Sequence, residues 1–359
     1  MESAQPDTVK EGVKEYYGKT LSKTEDLKTD ACCPKGKGLY KSAREAVKEV
    51  HNDVIIKYYG CGNPIPECLA GATVLDLGSG SGRDVYICSK LVGESGKVIG
   101  IDMTDEQIQV AKDFQDYHAE KFGYSNTEFI QGYIEDFTDS GNVAEGSVDV
   151  VISNCVVNLS PNKDKVFRQV WKALKEGGEL YFSDIYSDRR VPQELQDNKE
   201  LWGECLSGAL YFEDFRRLMK EIGFTDLRVI SQSEVKNTAG YDLAPKFYSI
   251  TIRAFKISSL EDRSENYGNI ATYKSGIPDF GCKFEFDQNY TFCKNKEVSV
   301  CKNTAEILRK SRYAPFFEVT EDGYHQGLHE KQSFQISTAA DAKEGCCVPK
   351  EGAGSSGCC

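Results

Sequence analysis

Short apolar runs alternate with longer stretches of helical spacing from residue 73 to residue 256. Thr73–Leu77 is an apolar run that enters a glycine-rich loop. Behind the loop, from about Arg83, Val85, Ile87 and Leu91 carry helical spacing. Lys97–Ile101 is a second strand-like run and ends in Asp102. Asp105–Phe122 is expected as one helix with Ile108, Ala111 and Tyr117 inward. Thr127–Gln131 and Ser147–Ser153 follow as third and fourth strands. The fourth is almost wholly apolar, the mark of a strand covered on both faces. Lys163–Leu174 reads as a helix stopped by Gly177-Gly178, and Glu179–Ser183 as a fifth strand. A helical pair over Lys199–Tyr211 and Phe212–Ile222 precedes strands at Asp226–Ile230 and Lys246–Lys256. Strict alternation makes the last the longest expected strand. Repeated βα units closed by two consecutive strands predict an α/β fold: a doubly wound, mainly parallel sheet finished by an antiparallel pair.

The flanks follow other patterns. Residues 1–30 are polar and lysine-rich, with helical spacing at Val9, Val13, Tyr16 and Tyr17. Ala31–Leu39 is a loop by its proline and glycines. Ser42 is expected to cap a helix over Ala43–Tyr58, and Gly60 and Gly62 then present Cys61 in a bend. After Ile257 the spacing shortens. Strand-like runs at Cys282–Phe286 and Val298–Cys301, with a helix at Thr304–Arg312, predict a small α+β unit. From about Lys331 the chain turns to Gly, Ser, Ala and Cys and is expected to be disordered. The organisation expected is therefore an N-terminal helical or lid segment over residues 1–70 carrying Cys32 and Cys61. The doubly wound domain spans 71–257, the small C-terminal domain 258–330, and the cysteine-containing tail 331–359.

The loop after the first strand reads D-L-G-S-G-S-G from Asp76 to Gly82. Strand, glycine loop, helix, strand and terminal acid form a nucleotide-binding βαβ unit. A dinucleotide fingerprint places its third glycine where this chain has Arg83. Asp76 would repel a pyrophosphate and suit a cationic amino-acid ligand, and D-x-G-x-G-x-G is the form seen in S-adenosylmethionine enzymes. Taken alone the loop still allows a dinucleotide or a turn without ligand.

Composition narrows the partners. A formal charge of −12 argues against nucleic acid and acidic membranes, which need a basic face. No apolar stretch approaches a membrane span, and the first residues lack the layout of a signal peptide, so the cytosol is the expected compartment. The chain has 14 cysteines but no CxxC pair, so a zinc ribbon or thioredoxin-type motif has no support.

Ligands of open α/β sheets gather beyond the carboxyl ends of the strands, where the strand order reverses. The glycine loop, Asp102 and the pair Asn154-Cys155 meet that description, so a thiol stands where a methyl acceptor is expected. Cys205 falls on the same rim, Cys61 on the N-terminal bend and Cys32 on the loop before it. Converging thiolates select soft metals and metalloids. Each cysteine equally suits the role of a small buried hydrophobe, and the residues alone leave both readings open.

Seven segments carry a resemblance: GCGNPIPE (60–67), VLDLGSGSGRD (74–84), GIDMT (100–104), GYIED (132–136), SNCVVNL (153–159), GELYFSD (178–184) and LWGECLSGAL (201–210). Together they resemble the arsenite methyltransferases over most of residues 30–320. The resemblance implies a class I S-adenosylmethionine-dependent methyltransferase with a Rossmann-like sheet. It also implies methyl transfer to trivalent arsenic held by cysteine thiolates, giving mono- and dimethylated arsenicals. Gly78, Ser79 and Gly80 would line the methionine and ribose, and Asp102 would hold the ribose hydroxyls. Met103 would pack on the adenine with Ile134 and Glu135 beside it, and Asn154 and Tyr59 would lie near the methionine end. Asp76 and Gln107 complete the donor-binding set. Cys155 and Cys205 would bind arsenic, with Cys61 as a third thiolate in the first round and Cys32 as its redox partner. Thioredoxin or glutathione would return the electrons. The resemblance implies a monomer, and no metal cofactor is expected.

Overall fold

The structure, a computed structural model, describes residues 6–17, 29, 38–236, 243–334 and 336. Three helices precede the first strand: α1 (Pro6–Glu15), α2 (Lys41–Val47) and α3 (Asn52–Ile56). The alternation that follows is β1 (Thr73–Leu77), α4 (Arg83–Val92), β2 (Lys97–Asp102), α5 (Asp105–Asp113), α6 (Gln115–Phe122), β3 (Thr127–Gln131), β4 (Val148–Asn154), α7 (Lys163–Ala173) and β5 (Leu174–Ser187). Next come α8 (Gln193–Gln196), α9 (Lys199–Gly203), β6 (Leu210–Tyr211), α10 (Phe212–Ile222), β7 (Leu227–Glu234) and β8 (Phe247–Phe255). The main sheet has the order β3-β2-β1-β4-β5-β8-β7, with β6 paired to β5. β1 to β5 run parallel, and β8 and β7 close the sheet antiparallel, as the alternation predicts. The order reverses between β1 and β4, which opens a crevice at their carboxyl ends.

Apolar residues fill both faces of the sheet. Leu75, Leu77, Val151 and Phe182 belong to one packed cluster, with Phe167 and Phe215 from α7 and α10. Val74, Val150 and Ile152 belong to the other, with Val85, Ile87, Ala43 and Val54 from α4, α2 and α3. Period-two alternation in strands buried on both sides sends successive residues to different cores.

Several expectations are corrected. The helix expected over 43–58 is two helices, because His51 is extended and caps α3, its Nδ1 accepting from Asp53 N at 3.2 Å. Ser42 caps nothing; its N–H donates to Asp279 Oδ2 at 2.6 Å. The helix over 105–122 breaks at Phe114, which rotates His118 inward and leaves Tyr117 exposed. His118 stacks on Tyr86 at 3.6 Å, and burial lowers its pKa to about 4. The longest strand is β5, not β8. β5 continues through Gly177-Gly178, read above as a helix stop. A Cβ on Gly177 would stand 2.3 Å from the Lys310 carbonyl oxygen, so this glycine admits a close approach of the C-terminal unit. Residues 199–211 hold only the short α9, then an irregular turn with Cys205, then β6.

The C-terminal unit contains β9 (Ile270–Tyr273), β10 (Lys283–Glu285), β11 (Thr291–Cys293), β12 (Glu297–Ser299), α11 (Lys302–Lys310) and β13 (Phe317–Val319). Its core of Tyr273, Phe284, Phe292, Ile307 and Tyr313 is a separate cluster. Phe334 and Ile336 pack against the main core, so the chain keeps its place past Lys331. The expected disorder of the remaining tail lies outside the described residues. Among the described residues no helix is long and apolar enough to cross a membrane.

Buried ion pairs join the two units. Arg228 on β7, fully buried, donates to Asp226 at 2.6 Å and to Asp287 at 2.8 Å. Removing the guanidinium strands two carboxylates out of water, a far larger effect than losing a surface pair. Arg228→Ala is therefore expected to lower the unfolding free energy by about 3–5 kcal/mol, read by urea denaturation. Adding Asp287→Asn should recover part of the loss.

Candidate functional site

The loop after β1 takes its shape from its glycines. Gly78, Gly80 and Gly82 have φ of 68°, 52° and 87°, a region that other residues enter only with strain. Space also demands glycine: a Cβ on Gly78 would meet the Val156 side chain at 2.4 Å, and one on Gly82 the Phe129 ring at 2.8 Å. Gly78 N and Ser79 N donate to Ile101 O at 2.7 and 2.9 Å, hanging the loop on the end of β2. Asp102 completes the anchorage by accepting from Gly80 N and Thr104 N, each at 2.8 Å. Both of its oxygens thus hold backbone first, and a lone pair on each remains for a ligand.

A cavity opens over this loop. Every residue of the expected donor set lines it: Tyr59, Asp76, Gly78, Ser79, Gly80, Asp102, Met103, Gln107, Ile134, Glu135 and Asn154. Sequence reasoning missed Asp84 and the cover supplied by α1, from which Lys10 and Val13 reach the cavity, with Tyr17 just beyond. Lys10 pairs with Glu135 at 3.4 Å, and Gln107 Nε2 donates to the Tyr17 carbonyl at 3.3 Å. Two buried polar atoms in the lining, Ser79 Oγ and Gln107 Oε1, have no hydrogen-bond partner among the described residues.

The cavity is electrostatically unbalanced. Asp76, Asp84 and Asp102 are all buried against it and Glu135 adds a fourth acid, while Arg83 pairs with Asp84 at 2.5 Å and Lys10 and Lys57 are the cations of the lining. Burial, then the Asp84 and Asp102 charges, push the Asp76 carboxyl well above its ordinary range. Burial also raises Asp102, against the lowering influence of its two amide donors. A positively charged ligand relieves both.

The thiols gather next to it. Asn154, last residue of β4, accepts from Cys61 N at 3.0 Å and Gly62 N at 3.1 Å, and donates to Gly62 O at 3.2 Å. That carboxamide brings the N-terminal bend onto the end of β4. Ser249 Oγ on β8 donates to Cys61 O at 2.6 Å. Cys61 and Cys155 are joined in a disulfide with Cα atoms 5.5 Å apart. The oxidised partner of Cys61 here is thus Cys155; Cys32, the partner the resemblance implies, lies outside the described residues. Cys205 is buried, and its Sγ donates to the Cys155 carbonyl at 3.1 Å. All three belong to one apolar cluster with Leu159, Ile185, Leu201 and Phe247. Cys155 and Cys205 both have positive φ, 58° and 63°, conformations that cost on the order of 1–2 kcal/mol in a residue with a Cβ.

Asp184 was missed by the sequence, although it ends the quoted run GELYFSD. One of its oxygens and the sulfurs of Cys61 and Cys155 lie within 4.8 Å of one another. It accepts from Ile185 N at 2.8 Å and Asn158 N at 3.1 Å, and burial pushes its pKa up to about 7. Lys163 stands in the same environment, and burial lowers it to about 8 against the opposing influence of Asp184, Cys205 and Glu135. None of the four histidines lines the cavity.

Residues 69–236 match the model of a methyltransferase domain, and residues 267–359 match that of an arsenite methyltransferase C-terminal domain. The chain is 44% identical to an arsenite methyltransferase of Aquipseudomonas alcaligenes, over 94% of this chain and 99% of the relative. It is 40% identical to the arsenite methyltransferase of Homo sapiens, over 98% and 96%. Among solved structures it is similar to an arsenic(III) S-adenosylmethionine methyltransferase from Chlamydomonas reinhardtii. That match has a TM-score of 0.78 and 43% identity and covers 82% of this chain and all of the other.

The seat of Cys61 depends on Gly62, where a Cβ would stand 2.3 Å from Ser183 Oγ and 2.4 Å from Ser183 Cβ. Gly62→Ala is expected to lift the bend off β5 and lower the fraction of Cys61–Cys155 disulfide, read by peptide mapping without reductant. Combining it with Ser183→Gly frees that space and should restore the disulfide.

Proposed function

Because the chain belongs to the arsenite methyltransferase family, we propose that its buried thiols hold trivalent arsenic against the cavity over the glycine loop, where the methyl donor binds. The enzyme is an S-adenosylmethionine-dependent arsenite methyltransferase. The single observation that carries the site assignment is Cys155, which lines the donor cavity while its sulfur is bonded to that of Cys61 and its carbonyl accepts from Cys205.

The residues over the loop suit the donor. Two unpartnered buried polar atoms, Ser79 Oγ and Gln107 Oε1, are available to it, and Asp76, Asp84 and Asp102 present negative charge to a cationic ligand. S-adenosylmethionine supplies a methyl group made electrophilic by its sulfonium. The glycine loop and Asp102 give the donor a rigid seat, and α1 with Tyr17 keeps water from it. Cys155, Cys205 and Cys61 are the arsenic ligands, since thiolates select a soft metalloid. Arsenic keeps its lone pair when bound by thiolates, so no side chain has to remove a proton from the nucleophile.

Alkylation oxidises arsenic, and two electrons must return. The Cys61–Cys155 disulfide is the oxidised form of two of the proposed ligands, so a thiol must reopen it before arsenic can bind there. Glutathione or thioredoxin fills that role in our reading, with the enzyme a cytosolic monomer. The free, buried thiol of Cys88 suits a reducing compartment.

Cys155→Ser and Cys205→Ser are expected to abolish methylation of both arsenite and monomethylarsenite. Cys61→Ser and Cys32→Ser should lose the first and keep the second. Arsenic speciation after incubation with S-adenosylmethionine and thiol reads both, and full activity of Cys155→Ser overturns the assignment. Donor affinity should also depend on pH. A cation favours the charged forms of Asp76 and Asp102, whose pKa values are raised in the free protein. Affinity should therefore fall as pH drops through those raised values, earlier than for ordinary carboxylates. Asp76→Asn should weaken binding by about ten- to a hundred-fold and flatten the profile in calorimetric titration.

A further inference from the structure

The geometry points to the C-terminal unit as a clamp that positions Cys61 through Glu67, which makes Tyr313 and Arg312 positioning residues for the arsenic site. The inference rests on the reading of Cys61 as an arsenic thiolate. Between α3 and β1 the chain has no helix or strand of its own, yet it carries Cys61. Such a segment stays where its two ends are held. At Cys61 the hold is Asn154 and Ser249, already described. Six residues on, the hold comes from the C-terminal unit.

Glu67 is gripped there by main chain and side chain together. Arg312 Nε donates to the Glu67 carbonyl at 2.9 Å, and the Tyr313 hydroxyl donates to Glu67 Oε2 at 3.2 Å. Both residues follow α11 directly. Tyr313 OH in turn accepts from Arg253 Nη2 at 2.5 Å and from Arg312 Nη2 at 2.8 Å. Arg253 reaches Glu179 Oε1 at 2.6 Å, and Arg312 pairs with the other oxygen of Glu179. Two cations and two carboxylates thus surround one phenol hydroxyl, with Arg253, Glu179 and Tyr313 fully buried. A balanced buried network of this kind is rigid when complete and costly when one member is lost. Neighbouring contacts extend the grip: Cys68 packs on the C-terminal core, and Tyr40, tilted against Phe280, donates to Pro66 O at 3.0 Å.

None of the network's members lines the donor cavity, and the thiol beside it is Cys68, not one of the three proposed arsenic ligands. The network's effect must travel along Glu67 to Cys61, through a stretch that holds both Pro64 and Pro66 and has little freedom to absorb a shift. The C-terminal unit therefore sets the first arsenic step through the position it gives Cys61.

Tyr313→Phe and Glu67→Gln each alter one polar group and leave the packing in place. With the protein reduced, alkylation of Cys61 followed by peptide mass spectrometry, referenced to Cys205 and Cys88, is expected to speed up by at least about five-fold. Donor affinity should stay within about two-fold. Arsenite turnover should fall while monomethylarsenite turnover is kept. A selective rise at Cys61 with both turnovers lowered alike, or neither lowered, still supports the clamp and sinks the assignment of Cys61 to the first step. Unchanged Cys61 alkylation in the folded variants overturns the clamp. Hydrogen exchange on the unaltered protein gives a second check: Cys61 and Gly62 amides should be protected as well as that of Tyr313, and fast exchange at Cys61 beside a protected Tyr313 overturns it too.

Discussion

The carboxamide of Asn154 is where the two halves of the chemistry meet. It ends the strand beside the topological switch, lines the donor cavity, and holds the backbone of Cys61 and Gly62 by paired donor and acceptor bonds. A buried amide satisfied in this way is expensive to disturb, because each group left unpaired loses its full desolvation cost. The next residue is Cys155, so the angle at which β4 ends fixes both the acceptor thiol and the bend that brings Cys61 to it. Without that side chain the bend would keep Ser249 and the hold on Glu67 but lose its direct tie to the end of β4.

The sheet was legible because strands buried on both faces are written as unbroken apolar runs, and the helices between them repeat at another period. The errors have physical causes. His51 and Phe114 break helices whose stripes run straight through them, and their rings stack on each other at 4.1 Å, a contact between two segments that periodicity within either does not show. β5 crosses two glycines since one of them admits the Lys310 carbonyl, a demand made from more than 130 residues away and invisible locally. The C-terminal strands are three or four residues long and carry charges, too short for alternation to show.

The candidate site divides in the same way. Residues within the βαβ unit could be read from spacing, and those residues do line one cavity. The thiols could be read only as candidates, since Cys61 and Cys155 are 94 positions apart and nothing local pairs them. Asp184 escaped because a carboxylate at a strand end reads as solvent-facing, whereas β8 and the turn after β4 enclose it. The left-handed backbone of Cys155 and Cys205 has no signature in sequence, and in the fold it marks both residues as held against preference.

The disulfide joins residues 94 positions apart and encloses the glycine loop, β1, β2, β3 and all of β4. A ring of that size removes so much freedom from the unfolded chain that it favours the native state by about 4–5 kcal/mol in the entropic account. Reopening it to admit arsenic gives up that advantage. If these two thiols hold the substrate as proposed, durability and competence are set against each other: the form that best survives heat in air is the form that cannot bind arsenic through them. A purification that selects for robustness would enrich the resting protein, and the fraction able to turn over would be decided by the last buffer it met.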